Sequence, residues 1–75
     1  MPSVTGTILL VQESRLRLLT DDHRGLIFLL GHDAPIEPQD LPALTGARVR
    51  LDYVGSDRLA AGVIKDLRVL GETQA

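Results

Sequence analysis

Leu41-Pro42-Ala43-Leu44-Thr45-Gly46-Ala47-Arg48-Val49-Arg50-Leu51 decides how this chain is to be read. Its first half is a short helix with both ends marked. Asp40 stands before it as a residue able to cap free amides, Pro42 fits a first helical turn, and Gly46 follows the end. One or two turns over Asp40 to Leu44 are expected. The second half then alternates, with Ala47, Val49, Leu51 and Tyr53 on one face and Arg48, Arg50 and Asp52 on the other. That two-residue period is the mark of a half-buried strand, here Ala47 to Val54.

On the N-terminal side, His32 to Pro38 is too rich in proline and turn residues to belong to a sheet. Before it, Leu26 to Leu30 is an apolar run ended by Gly31, and Asp21-Asp22-His23-Arg24-Gly25 reads as a loop in which Gly25 supplies a positive φ. Arg15 to Thr20 alternates Leu16 and Leu18 with Arg15 and Arg17, and Glu13-Ser14 is the tight turn that precedes it. Val4 to Gln12 is the first strand. Its even positions Val4, Gly6, Ile8 and Leu10 are expected inward, its odd positions Thr5, Thr7, Leu9 and Val11 outward, with Gly6 at a bend or close approach. On the C-terminal side, Gly55-Ser56-Asp57-Arg58 is a loop, and Leu59 to Leu70 is a last strand whose apolar phase slips between Val63 or Ile64 and Leu67. A bulge near Lys65 accounts for the slip. Gly71 to Ala75 reads as a frayed tail.

The order of elements is therefore three strands, a short helix, and two strands: an all-β chain with one helix between the third and fourth strands. With the phrases Val4-Thr5-Gly6-Thr7-Ile8 and Leu41 to Leu51, this order resembles the OB-fold of small bacterial domains, a five-stranded Greek-key barrel. The resemblance covers about residues 3 to 70 of a single domain spanning 1–75. The rival, an SH3-like barrel, carries its helical turn before the last strand. Ligands of OB-folds lie across strands two and three, between the loops joining strands one and two and strands four and five. Carried over by position, the resemblance implies a surface holding Arg15, Arg17, Leu19, Ile27 and Leu29, with Gln12 to Ser14 and Gly55 to Arg58 at its ends.

Composition excludes several classes of function. The chain has 75 residues, 44% of them hydrophobic, which is enough for one compact core and too few for a large enzyme. It has no cysteine, so packing must hold the fold without disulfides or thiolate-bound zinc. There is no Gly-x-Ser-x-Gly turn, no phosphate-binding glycine loop with Lys, and no paired acids on an expected cleft. A non-enzymatic chain with no catalytic residues and no cofactor is expected. His23 and His32, near Asp21, Asp22 and Asp33, match no compact ligand spacing, so no metal is expected. Met1-Pro2-Ser3-Val4-Thr5-Gly6 lacks a basic leader, and Leu26 to Leu30 is far short of the roughly 20 residues of a membrane span. A cytoplasmic protein with no membrane association is the corresponding expectation.

Two outward sets of side chains remain. Leu9, Val11, Leu19, Ile27 and Leu29 stand opposite the expected core, and such an aliphatic wall points to a protein partner or to self-association. The plainer explanation is that the barrel's own curvature or loops cover them. The second set is arginine: every basic residue except Lys65 is Arg, and Arg15, Arg17, Arg48, Arg50 and Arg58 are candidates for weak, sequence-tolerant binding of single-stranded nucleic acid. Against this, the formal charge is −2, and the only aromatics, Phe28 and Tyr53, alternate inward where no base can stack on them. Arginines on a wet face also commonly pair with neighbours such as Glu13, Asp52 or Asp66. A third alternative, a small-anion or regulatory-ligand site, rests on the Leu-x-x-Leu-x-Gly-x-x-Val phrasing from Leu41 to Val49, which resembles small OB-like domains of transport regulators.

Overall fold

A computed structural model of the chain describes residues 2–55 and 62–72. Five strands close into a barrel: β1 (Ser3–Gln12), β2 (Arg15–Thr20), β3 (Gly25–Leu30), β4 (Ala47–Val54) and β5 (Gly62–Glu72). Their order around the wall is β1-β2-β3-β5-β4, and β4 returns to β1. Every pairing is antiparallel except β3 with β5, which is parallel. This is the arrangement of an OB-like barrel, and β1 is flanked by both β2 and β4.

Alternation in the sequence becomes burial in the barrel. Ile8, Leu16, Leu18, Phe28, Ala47, Val49, Leu51 and Ile64 point inward and are buried, and Leu41 joins them from between β3 and β4. Leu41 is held there by two consecutive 3-10 helices, Pro38–Asp40 and Pro42–Leu44. The expected helix is thus two single turns joined at a buried leucine, with Asp40 closing the first rather than capping the second. Pro42 explains the break, since it has no amide to carry the hydrogen-bond ladder of the first turn into the second, whereas Pro38 stands at a first helical position where no amide is needed. Gly46 follows with φ +88 and donates its N–H to the Ile8 carbonyl at 2.7 Å, which turns the chain into β4.

Three details of the strands differ from the pattern of the sequence or sharpen it. In β1 the register with β2 shifts between Ile8 and Leu10, so Leu9 is an extra residue and the phase inverts beyond it. Val11 therefore packs against the core, and Leu10 takes an outward position. In β5 the partner of Asp52 is Asp66 and the partner of Tyr53 is Ile64, which places the expected bulge at Lys65. In the β2–β3 turn the positive φ falls on His23 (69°), not on Gly25, which opens β3 opposite Leu19. Leu59, Ala60 and Ala61, expected in the last strand, lie outside the described residues, as does the expected Ser56-Asp57-Arg58 loop. Among the described residues, no helix is long and apolar enough to cross a membrane.

Candidate functional site

The outer wall of β1, β2 and β3 is built in cross-strand rows, because side chains paired across a sheet project on the same side. Leu10, Arg17 and Ile27 form one row, and Gln12, Arg15 and Leu29 form the next. Between them opens a groove of about 250 Å³ lined by Leu10, Gln12, Arg15, Arg17 and Ile27, with buried Leu16 contributing to its lining. Leu10 is 49% exposed, Ile27 47%, and Leu9 at the bulge 47%. Leu19 and Leu29 are half-buried on the same wall. Four of the five aliphatics expected outward therefore stand outward. The fifth, Val11, is replaced by Leu10 for the reason given by the β1 bulge.

Arg15 and Arg17 have no ion-pair partner among the described residues. The guanidinium of Arg17 lies over Gly25 at ordinary contact distance: a Cβ there would be 3.7 Å from Arg17 Nε and would fit beside it. At the end of the wall, Glu13 and Ser14 of the β1–β2 turn face Pro38, Gln39 and Pro42 across a shallow depression of about 550 Å³. Neither Pro38 nor Pro42 donates a backbone hydrogen bond, so the depression's floor on that side is apolar and fixed in φ.

The other expected arginines are placed differently. Arg48 pairs with Thr7 across β1 and Arg50 with Thr5, whereas Arg17 pairs with Leu10 and Arg15 with Gln12. At about 3.3 Å per residue these positions spread over roughly 23 Å of β1, on its two sides, instead of forming one band. Arg48 is also engaged: its Nη2 donates to Asp21 Oδ2 at 2.6 Å, and that hydrogen bond, reinforced by the charge of Asp21, holds the guanidinium proton more tightly than usual. Arg50 Nε lies 4.0 Å from Asp52 Oδ1, and its Nη2 donates to Ser3 Oγ at 3.3 Å. Arg58 lies outside the described residues.

Neither Phe28 nor Tyr53 is offered to a base. Phe28 is buried, and Tyr53 packs against the core with its ring centroid 5.1 Å from that of Phe28, edge to face. The loop aspartates beside the histidines are committed elsewhere. Asp22 accepts from the Thr20 hydroxyl and pairs with Arg24 at 3.0 Å; the hydroxyl bond first, then the Arg24 charge, holds its carboxyl below the usual range. Asp33 is held low by Lys65, whose Nζ lies 3.3 Å from each carboxylate oxygen. Among the described residues no three His, Asp or Glu side chains come together as a metal site.

No family model matches the chain, and no curated protein matches it by sequence. Among solved structures it is similar to that of a tryptophan-to-alanine variant of CusF from Escherichia coli with Cu(II). The TM-score is 0.67 over 89% of this chain and 88% of that one, at 15% identity. At that identity the likeness carries the barrel architecture alone.

Proposed function

We propose that this chain is a small, non-catalytic binding module that docks an acidic, partly apolar segment of a partner protein on the outer wall of β1, β2 and β3. The observation that supports this is the groove itself, where exposed Leu10 and Ile27 are flanked by Arg15 and Arg17 with no ion-pair partner among the described residues. Leu9, Leu10 and Ile27 are each about half-buried already, so covering all three is worth about 2–4 kcal/mol. Association costs at least that much, about 4–15 kcal/mol, so the aliphatics alone do not hold a partner. The arginines must take part, and their natural counterparts are carboxylates. Arg15 and Arg17 stand two residues apart on one strand face, a spacing matched by acids at alternate positions of an extended peptide. The centre of the wall carries cations and no carboxylate, so an acidic partner suits it better than a second copy of itself.

Single-stranded nucleic acid is the second reading, favoured by the same two arginines and disfavoured by the inward aromatics. Amide chemical-shift mapping separates the two. An extended peptide alternating Glu and Leu is expected to shift Leu10, Arg15, Arg17 and Ile27, and a Lys/Leu counterpart to leave them unmoved. The double variant Leu10→Asp with Ile27→Asp keeps the fold and loses the response. Shifts on this wall from a thymidine oligonucleotide, with none from the Glu/Leu peptide, would replace the protein reading with the nucleic-acid one.

A further inference from the structure

On the opposite side of the barrel, β4 and β5 present a second surface that the groove does not use. Their register sets Arg50 opposite Arg68 and, one row along, Asp52 opposite Asp66. The four side chains surround an open space of about 170 Å³. Like charges directly opposite one another weaken a strand pair, whereas exchanging Asp66 with Arg68 would set each charge against its opposite. As it stands, the face is a row of two cations beside a row of two anions. Its charges are poorly used within one molecule. Arg50 reaches Asp52 only at 4.0 Å and otherwise donates to Ser3. Asp66 accepts from the Leu67 N–H at 2.9 Å, and Arg68 has no ion-pair partner among the described residues. Toward β1 the rows continue as Ser3 and Thr5, short side chains that leave the charges accessible to a facing surface.

We propose that this face docks a second copy of the chain, related by a two-fold axis lying in the interface, across the strands and midway between the two rows. Rotation about that axis keeps each strand's place and exchanges the rows. Arg50 then faces the partner's Asp52 and Arg68 faces the partner's Asp66, while Asp52 and Asp66 face the partner's Arg50 and the partner's Arg68. One two-fold operation thus makes four ion pairs, because a self-complementary patch satisfies every contact twice. The surface around these four residues is smaller than the roughly 800 Å² per partner of a stable interface, so the dimer is weak and sensitive to salt. This interface is independent of the β1–β3 groove, and both can be occupied together.

Sedimentation equilibrium of the full chain tests it. At about 0.02 M salt the mean mass is expected to rise with concentration into the millimolar range, and at about 0.5 M salt to return to that of the monomer. The acidic variant Arg50→Asp with Arg68→Asp and the basic variant Asp52→Arg with Asp66→Arg are each expected to be monomeric at low salt. Mixed together they are expected to form a one-to-one dimer. A control with the basic variant's net charge, Glu37→Arg with Asp40→Arg, is expected to bind the acidic variant at least tenfold more weakly; equal binding would reduce the attraction to net charge and overturn the proposal. Circular dichroism checks that each variant is folded. A wild-type chain that stays monomeric at low salt also overturns the proposal. Loss of the dimer in the Leu10→Asp and Ile27→Asp double variant would overturn it by moving the interface to the β1–β3 wall, and leaves the peptide-binding test of that wall to be judged separately.

Discussion

At Gly6 there is no room for a methyl group: a Cβ there would stand 2.3 Å from the Leu19 carbonyl oxygen and 2.9 Å from Thr20 Cα, both backbone atoms. Gly46 is the opposite case, with nothing within 4 Å and a φ of +88. The two glycines are thus required for different reasons, and alanine at each should cost differently. Gly6→Ala must push β1 away from β2 and is expected to lose about 3 kcal/mol or more, at the upper end of overpacking. Gly46→Ala meets only the strain of a left-handed backbone and is expected to lose about 1 kcal/mol. Urea unfolding monitored by circular dichroism distinguishes them. Gly6 was legible in the sequence, because a glycine inside an alternating strand signals close approach. The left-handed residues Glu13 (56°) and His23 (69°) were not, since Glu seldom takes that conformation and at His23 the neighbouring Gly25 is the more usual choice for it. His23 is fixed there by the turn, whose Thr20 both donates to and accepts from the backbone of the four following residues: Thr20 N–H to the Arg24 carbonyl, His23 N–H to the Thr20 carbonyl. Gly25 is thereby released into β3.

Of the two register shifts in β5, the bulge at Lys65 was visible and the one at Leu70 was not; nor was the β1 bulge, and its difference from the bulge at Lys65 lies in composition. Around Lys65 the apolar phase visibly slips, whereas Ile8-Leu9-Leu10-Val11 is aliphatic throughout and satisfies either phase. Paired substitutions report the phase directly. Leu10→Asp is expected to change stability by less than about 0.5 kcal/mol, as an exposed substitution does, while Val11→Asp puts a carboxylate against the core and is expected to cost several kcal/mol. Equal effects in thermal melts would return the outward position to Val11. The β5 bulge has its own electrostatic tie, since Lys65 reaches Asp33 in the loop after β3. Asp33 and Asp22 both have carboxyl pKa values below the ordinary 3.8 in the folded protein. Because the folded value is the lower one, their contribution is complete above the unfolded pKa and disappears as pH falls through the folded value. The melting temperature is expected to decline from about pH 5 to pH 3, and Asp33→Asn together with Asp22→Asn should flatten that decline. Long-range pairs such as Arg48 with Asp21 had no signature in the sequence, and neither did the facing rows of Arg and Asp. Both depend on a strand register that one extra residue resets.

For the barrel as a whole, the weak place is its closure. β4 and β5 share eight paired positions, whereas β3 and β5 share three, Phe28 with Gly62, Leu29 with Val63 and Leu30 with Ile64, extended by the Gly31 N–H to the Ile64 carbonyl at 3.0 Å. Parallel pairing is also slightly less stable per residue, so the seam is expected to open before the β1–β2–β3 meander does. What holds it is aromatic packing: the edge-to-face pair of Phe28 and Tyr53 sits directly against Gly62, where a Cβ would come within 2.8 Å of Tyr53 and 3.1 Å of Phe28. Native-state amide exchange should therefore find the Gly31 amide less protected than amides shared by β1 and β2. Gly62→Ala forces the rings apart and should accelerate exchange at Gly31 more than at Leu16 or Leu18. Uniform acceleration would mean that the barrel opens only as a unit. The binding wall makes the distinction functional, because Leu10, Arg15, Arg17 and Ile27 all lie on β1 to β3. If the seam opens alone, the groove keeps its three strands, and Gly62→Ala should leave the response to the Glu/Leu peptide intact while lowering overall stability.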